Sequence, residues 1–371
     1  MGLTSAVCSA TNLASQLILQ QAPAASWAGV NGGTTGGQKA DAAHIITVSN
    51  RFELVSALED AGDAAKIIQV KGTIDLSDGR PYQNFNDEKH RSQIKIPSNT
   101  TLFGITADAG FIHGSLVVKE VHNVIIRNLH IETPVDVAPH FEKGDGWNAE
   151  WDGMNIITSE HVWVDHVTIT DGHFTDAMYK QKDGWPYVQH DGALDIKRAS
   201  DFVTVSYSLF ENHNKTMLIG HSSHNGAQDR GKLRITLMDN IFKNVIQRTP
   251  RVRFGKIHVY NNLFIGDRSD NETYKYMYSY GLGTEGSIIS ENNSFTISNL
   301  NSPCHILKLF SKDHSGSVID HGSVVNGQPV DFSQCDVNSS VGWKVPYQYQ
   351  LKAVSSLGSL SKEVGSGHLL R

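Results

Sequence analysis

Three arginines stand within six residues at Arg248-Thr249-Pro250-Arg251-Val252-Arg253. Well upstream lies a set of aspartates. Asp152 sits in Glu150-Trp151-Asp152-Gly153, and Asp191 and Asp195 sit in His190-Asp191-Gly192-Ala193-Leu194-Asp195-Ile196-Lys197. Carboxylates collect hard cations, and guanidinium groups take planar anions through paired hydrogen bonds. Together they suit a carboxylate-bearing substrate met partly through a metal ion. Oxygen donors with no neighbouring cysteine point to Ca2+ or Mg2+ over zinc. Read as a strand, 190–197 places 191, 193, 195 and 197 on one face. The expected outward side shows two carboxylates with small Ala193 between them, and Leu194 and Ile196 face a core. Asp152, with Glu150 beside it, is expected to arrive from the preceding turn. Pro250 fixes a bend that presents Arg248 and Arg253 together. Each piece alone also reads as ordinary surface: aspartates paired with lysines, and a basic loop.

The elements that must position these residues form a repeat. Segments beginning at Asn123, His161, Phe202, Arg234, Lys256 and Ser287 each carry a β-rich strand, a polar break at the sixth place and a second short apolar strand. The breaks are Asn128, His166, Tyr207, Asp239, Asn261 and Asn292. One apolar stripe per repeat cannot be buried alone, so stacked repeats must share a continuous core. The shortest spacing is 22 residues, from Asp239 to Asn261, about one turn of a parallel β-helix; spacings up to 41 imply inserted loops. Asn at the break suits a tight left-handed bend. Asn240, Asn262 and Asn293 are expected to stack as an amide ladder. A β-sandwich would need hairpin turns every 8–12 residues, and those signals are missing between the repeats. The expected fold is therefore all-β, a single-domain parallel β-helix with long loop insertions. Residues 1–40 read as an N-terminal arm or cap and 41–371 as the β-helix domain, with short helices at Leu13 to Gln21 and Phe52 to Ala61.

The bulk composition agrees. The 371 residues carry 33 glycines, 39% apolar and 19% charged residues, and a net charge of −6. An acidic chain is not a general nucleic-acid binder, though a polyanion could bind a local basic patch. No apolar run reaches the ~18 residues of a membrane span.

Further motifs identify a family. Val162-Trp163-Val164-Asp165-His166 resembles the signature segment of the pectate lyase superfamily, 190–197 resembles its second calcium strand, and Arg248-x-Pro250-x-x-Arg253 resembles its catalytic segment. Lys215, in Asn214-Lys215-Thr216, falls where that family has a substrate-binding lysine. The similarity runs from about Gly33 to about Leu369. It implies a right-handed β-helix and a secreted, monomeric enzyme cleaving polygalacturonate by calcium-dependent β-elimination. By position, the resemblance makes Arg248 the base. Lys197, Lys215 and Arg253 would bind uronate carboxylates, and Asp152, Asp191 and Asp195 would hold Ca2+ with Glu150 beside them. Some members have Glu where this chain has Asp191, and others have Asp at the place of Glu150. The free arginine pKa of about 12.5–13.8 implies alkaline working conditions. An exported setting favours one disulfide, Cys304 to Cys335, leaving Cys8 over.

Other readings use the same residues. A hydrolase on this scaffold would use paired carboxyls such as Asp191 and Asp195. A pectin lyase would lack the carboxylate cage, and a binding β-helix would need neither cage nor arginines. His166 is expected to be structural, with His190 and His221 lining the cleft. Lys180, Lys182, Arg230 and Lys232 read as loop charges. Trp147, Trp151 and Trp185 read as sugar-stacking or packing residues.

Overall fold

A computed structural model describes residues 16–60, 62–310 and 315–370. The chain coils into a right-handed parallel β-helix of three sheets. The first sheet has ten parallel strands, from Ile45–Val48 to Ser317–His321. The second also has ten, from Thr73–Asp75 to Gln328–Pro329, with only its last pair antiparallel. The third has eight, from Gln93–Lys95 to Leu307–Leu309.

The polar break of each repeat is the corner between the first and second sheets. Asn128, His166, Tyr207, Asp239, Asn261 and Asn292 all adopt the left-handed conformation, with φ between 44° and 58°. A single left-handed residue turns the chain sharply enough for the next strand to start two residues later. Asn tolerates this best. His166 and Tyr207 are held there by stacking on one another, with ring centroids 5.1 Å apart. His166 also hydrogen-bonds Asp165 at 2.7 Å, which fits its expected structural role.

Inside the corner the amide ladder forms. Asn240 Nδ2 donates to Asn262 Oδ1, and Asn262 Nδ2 donates to Asn293 Oδ1, each at 3.0 Å. These side chains are buried, so each unmade hydrogen bond would cost about 1–3 kcal/mol. Beside the ladder Phe210, Phe242, Phe264 and Phe295 stack at 4.4–5.1 Å, one per turn. Matching apolar residues on successive turns therefore make one continuous core.

The helix Arg51–Asp60 buries Leu54, Ala57 and Leu58 against the N-terminal end of that core. Of the helix expected at 13–21, residues 13–15 lie outside the described residues, and 16–18 are helical. The N-terminal arm then crosses the outer face of the first sheet: the backbone N–H groups of Trp27 and Ala28 donate to Thr236 and Thr204. The C-terminal segment covers the same sheet through Tyr347 and the second sheet through Leu357 and Leu360. The outer face of the third sheet is flanked by the long loops instead. Cys304 and Cys335 form the expected disulfide; Cys8 lies outside the described residues.

Candidate active site

The third sheet carries the chemistry. Strand Met154–Ile157 pairs with Leu194–Lys197, so Asn155 lies beside Asp195. Asp195 is followed across the sheet by Leu218, Arg251 and Gly281. Asp152 is delivered just before the first of these strands and Lys215 just before Leu218–Ile219. Arg248 is delivered just before Arg251–Val252.

Asp152, Asp191 and Asp195 are brought together with two lysines. Lys197 Nζ is 2.9 Å from Asp152 Oδ2 and 3.1 Å from Asp195 Oδ2. Lys215 Nζ is 3.1 Å from Asp191 Oδ1 and donates to Asn148 Oδ1 at 3.0 Å. Asp152 also accepts from the Gly192 N–H at 2.7 Å, and Asp195 from the Leu218 N–H at 3.0 Å. Burial, and then the charge of Asp195, push the Asp152 carboxyl up to about 7. Burial opposes the charge of Lys197, but Asp195 and Asp152 outweigh it and raise its pKa. Burial likewise opposes ionisation of Asp191, and Lys215 overrides it and holds the carboxylate ionised.

This donor set fits a hard divalent cation in chemistry: two buried carboxylates, Asp152 and Asp195, and a partly exposed third, Asp191, with three negative charges facing two lysines. It is not a closed coordination shell. Among the described residues no three Asp, Glu, His or Cys groups converge as a ready ligand set, and the ammonium groups of Lys197 and Lys215 sit against the carboxylates. Glu150 stays apart. Its side chain is half exposed and lies 4.0 Å from His140, and its backbone N–H donates to Asp136 at 2.8 Å.

Opposite the carboxylates stand the three arginines. Arg248 occupies a left-handed bend, φ 65°, and its carbonyl accepts from the Met217 N–H at 2.8 Å, tying it to the turn that carries Lys215. Its Nε is buried without a partner, and its positive charge bears on the Tyr278 phenol, offsetting part of the rise that burial causes there. Burial, then Arg253 and Arg248, lower Arg251 to about 10; burial and Arg248 lower Arg253 as well. Arg253 donates to the Gly220 carbonyl at 2.8 Å. His221 is half-buried beside the cleft and burial lowers its pKa.

Two expectations are corrected here. Ala193 does not lie between the aspartates: it is fully buried in the core with Leu194. The regular strand begins only at Leu194, so the alternation does not reach back to 191. The small residue under the carboxylates is Gly192, where a Cβ would stand 2.5 Å from Asp152 Oδ1 and 2.7 Å from Asp195 Oδ1. Nor does His190 line the cleft. It is buried, held by the Phe174 carbonyl at 2.6 Å and the Pro134 carbonyl at 2.9 Å. Of the tryptophans, Trp151 packs on Phe85, while Trp147 and Trp185 flank Phe141 in the loop hairpins. Lys182 lies over Trp147, and Arg230 pairs with Glu285. Arg251 is the functional candidate that sequence reasoning passed over.

The pectate lyase family model matches residues 2–368. The chain belongs to the pectate lyase family. It is 53% identical to pectate lyase A of Dickeya chrysanthemi over 99% of this chain and 94% of that one. It is 32% identical to a Bacillus subtilis pectate lyase over 100% and 97%. Among solved structures, a thermostable pectate lyase superposes with a TM-score of 0.89 at 34% identity, over 95% of this chain and 99% of that one. A pectate lyase bound to a hexasaccharide gives 0.88 at 31% identity, over 96% and 100%. The chain is thus a lyase on a parallel β-helix. For such an enzyme, Gly192→Ala is expected to lower turnover about a hundredfold by displacing two carboxylates, since a 1 Å misplacement costs about that much. Circular dichroism and the unfolding midpoint should stay near the parent's. Unchanged turnover would mean that the contact with Gly192 does not matter.

Proposed function

We propose that the chain cleaves polygalacturonate by Ca2+-dependent β-elimination with Arg248 as the base. The observation supporting this most directly is that one sheet carries three carboxylates and three guanidinium groups, with the strand Leu218–Ile219 between Leu194–Lys197 and Arg251–Val252, and that the arginines have no carboxylate within ion-pair distance among the described residues. Asp152, Asp191 and Asp195 would hold the ion, with Glu150 as the candidate at the rim. A bound calcium ion would draw electron density from the uronate carboxylate and acidify its C5 proton. Lys197, Lys215 and Arg253 bind carboxylates of the substrate and offset the negative charge that develops. Arg248 takes the C5 proton. The C5–H electron pair becomes the 4,5 double bond as the C4–O bond breaks, and the departing oxygen gains a proton from water.

A base must be neutral to accept a proton, and an arginine side chain becomes neutral only toward alkaline pH. Activity should therefore rise with pH into the alkaline range. We read the enzyme as secreted and monomeric, with residues 1–40 an arm on one β-helix domain. The test is ultraviolet absorbance of polygalacturonate with enzyme at alkaline pH, with calcium and then with chelator. The expected result is a rise that chelator abolishes. Growth of reducing ends without absorbance would instead mean hydrolysis and move the chemistry to the aspartates.

A further inference from the structure

Asp152 and Asp191 reach the site on two separate inserted loops. Residues 133–153 leave the strand His130–Glu132, run out into the hairpin of His140–Glu142 and Gly146–Asn148, and return through Glu150 to Asp152. Residues 171–193 leave the strand Thr168–Thr170 and return through Gln189 to Asp191. One residue after each carboxylate the loops are joined directly: the Gly153 N–H donates to the Gly192 carbonyl at 2.8 Å, and the Gly192 N–H donates to Asp152. Two residues before each carboxylate they are joined through a third residue, Asp136.

Asp136 is fully buried. Its Oδ2 accepts from the Glu150 N–H at 2.8 Å, and its Oδ1 accepts from the Ala138 N–H at 2.7 Å. Its backbone is paired both ways with Gln189. The Asp136 N–H donates to the Gln189 carbonyl at 2.8 Å, and Gln189 Nε2 donates to the Asp136 carbonyl at 2.9 Å. The helix Phe85–Ser92 supports the same frame: Glu88 accepts from the Val137 N–H at 3.0 Å, and Trp151 packs on Phe85 with ring centroids 5.1 Å apart.

The residue type is informative. A side-chain turn onto the Ala138 N–H is open to Asn or Ser as well. Two N–H groups taken by two separate oxygens require a carboxylate, because Asn has only one oxygen. A carboxylate buried here is costly, since among the described residues no Lys, Arg or His lies within ion-pair distance of Asp136. A loop that only had to close could use the neutral residue.

We infer that Asp136 is a positioning residue: by tying Glu150 to Gln189 it holds Asp152 and Asp191 at their spacing, and so sets how tightly the carboxylates hold a divalent cation. This rests on the calcium reading above and adds a residue to it. Asp136 reaches the cation only through the backbone of the two loops. Groups that support metal-binding side chains in this way commonly govern about 10–100-fold in metal affinity.

The test is calorimetric titration of calcium alone onto the full chain, with exchange of the Glu150 amide proton followed by NMR in the metal-free protein. Asp136→Asn keeps the shape but leaves one N–H facing an amide. It should weaken calcium binding about tenfold and speed Glu150 exchange by a similar factor. Asp136→Glu keeps the charge and adds a methylene, and should weaken calcium binding as much. Gln189→Ala alters no carboxylate and should weaken it about threefold, the worth of one hydrogen bond. Unchanged calcium affinity in Asp136→Asn, whatever its amide exchange, would overturn the positioning role and leave the calcium reading standing. Parent-like affinity in Asp136→Glu would do the same, since charge would then be the cause. If the Asp136 variants do not fold, unchanged affinity in Gln189→Ala overturns the role. A parent chain that binds no calcium would overturn both the role and the calcium reading.

Discussion

Arg248→Lys is expected to lower kcat on polygalacturonate by about three orders of magnitude, within the range for a lost general base. KM and the unfolding midpoint should change little. The positive charge survives the substitution, so the loss tests geometry. Arg248 is aimed by its backbone: it sits at a left-handed bend, its carbonyl is tied to the Met217 N–H, and the next N–H, of Thr249, is tied to Ser279. From there the side chain runs inward with its Nε buried and unpaired. Lysine puts its single nitrogen elsewhere and cannot present a planar fork. Its lower intrinsic pKa makes more neutral base available, which should help if position were unimportant. The substitution therefore sets position against basicity. The check is initial rates from the absorbance of the unsaturated product across alkaline pH. Turnover within about threefold of the parent at any pH would remove Arg248 from the base role.

The repeat was legible because each turn spends one polar residue on a corner between two apolar strands. Asn128, Asn261 and Asn292 announce that corner by residue type; His166, Tyr207 and Asp239 do so only by place in the repeat. The stacking of Asn240, Asn262 and Asn293 followed from spacing alone, since equal offsets from the corner must coincide once the turns stack. The site was legible in its charges and less so in its fine geometry. Period-two alternation was carried from Lys197 back to Asp191, but the chain enters that strand from a long loop. Gly192 touches Lys215 only through an isolated bridge, so Ala193 and Leu194 both turn inward. His190 is buried by carbonyls at Pro134 and Phe174, which belong to two other loops. Arg251 acquires its neighbours through the register of three strands far apart in the chain, which no local pattern encodes.

Asp195→Asn is expected to raise the calcium concentration for half-maximal activity by about a hundredfold, with kcat recovering toward the parent value at saturation. The side chain is buried, and Asn has the same shape. Its remaining oxygen can still accept from the Leu218 N–H, as Asp195 Oδ1 does at 3.0 Å, so the strand pairing should hold. What is lost is one of three negative charges. A unit charge 4 Å from another is worth about 4 kcal/mol at an effective dielectric of 20, and more against a divalent ion. The amide oxygen and hydration return part of this, leaving a net loss of about 2–3 kcal/mol, which is the hundredfold. The same variant removes a charge that raises the Asp152 carboxyl and one of the two partners of Lys197. The Asp152 carboxyl should then titrate below its present value of about 7 in the calcium-free protein, readable by NMR. These two readouts separate the causes of a failed variant. A changed Asp152 titration with unchanged calcium half-saturation would keep the electrostatic coupling and exclude Asp195 as a ligand. If neither changed, the carboxylates would not act as one site.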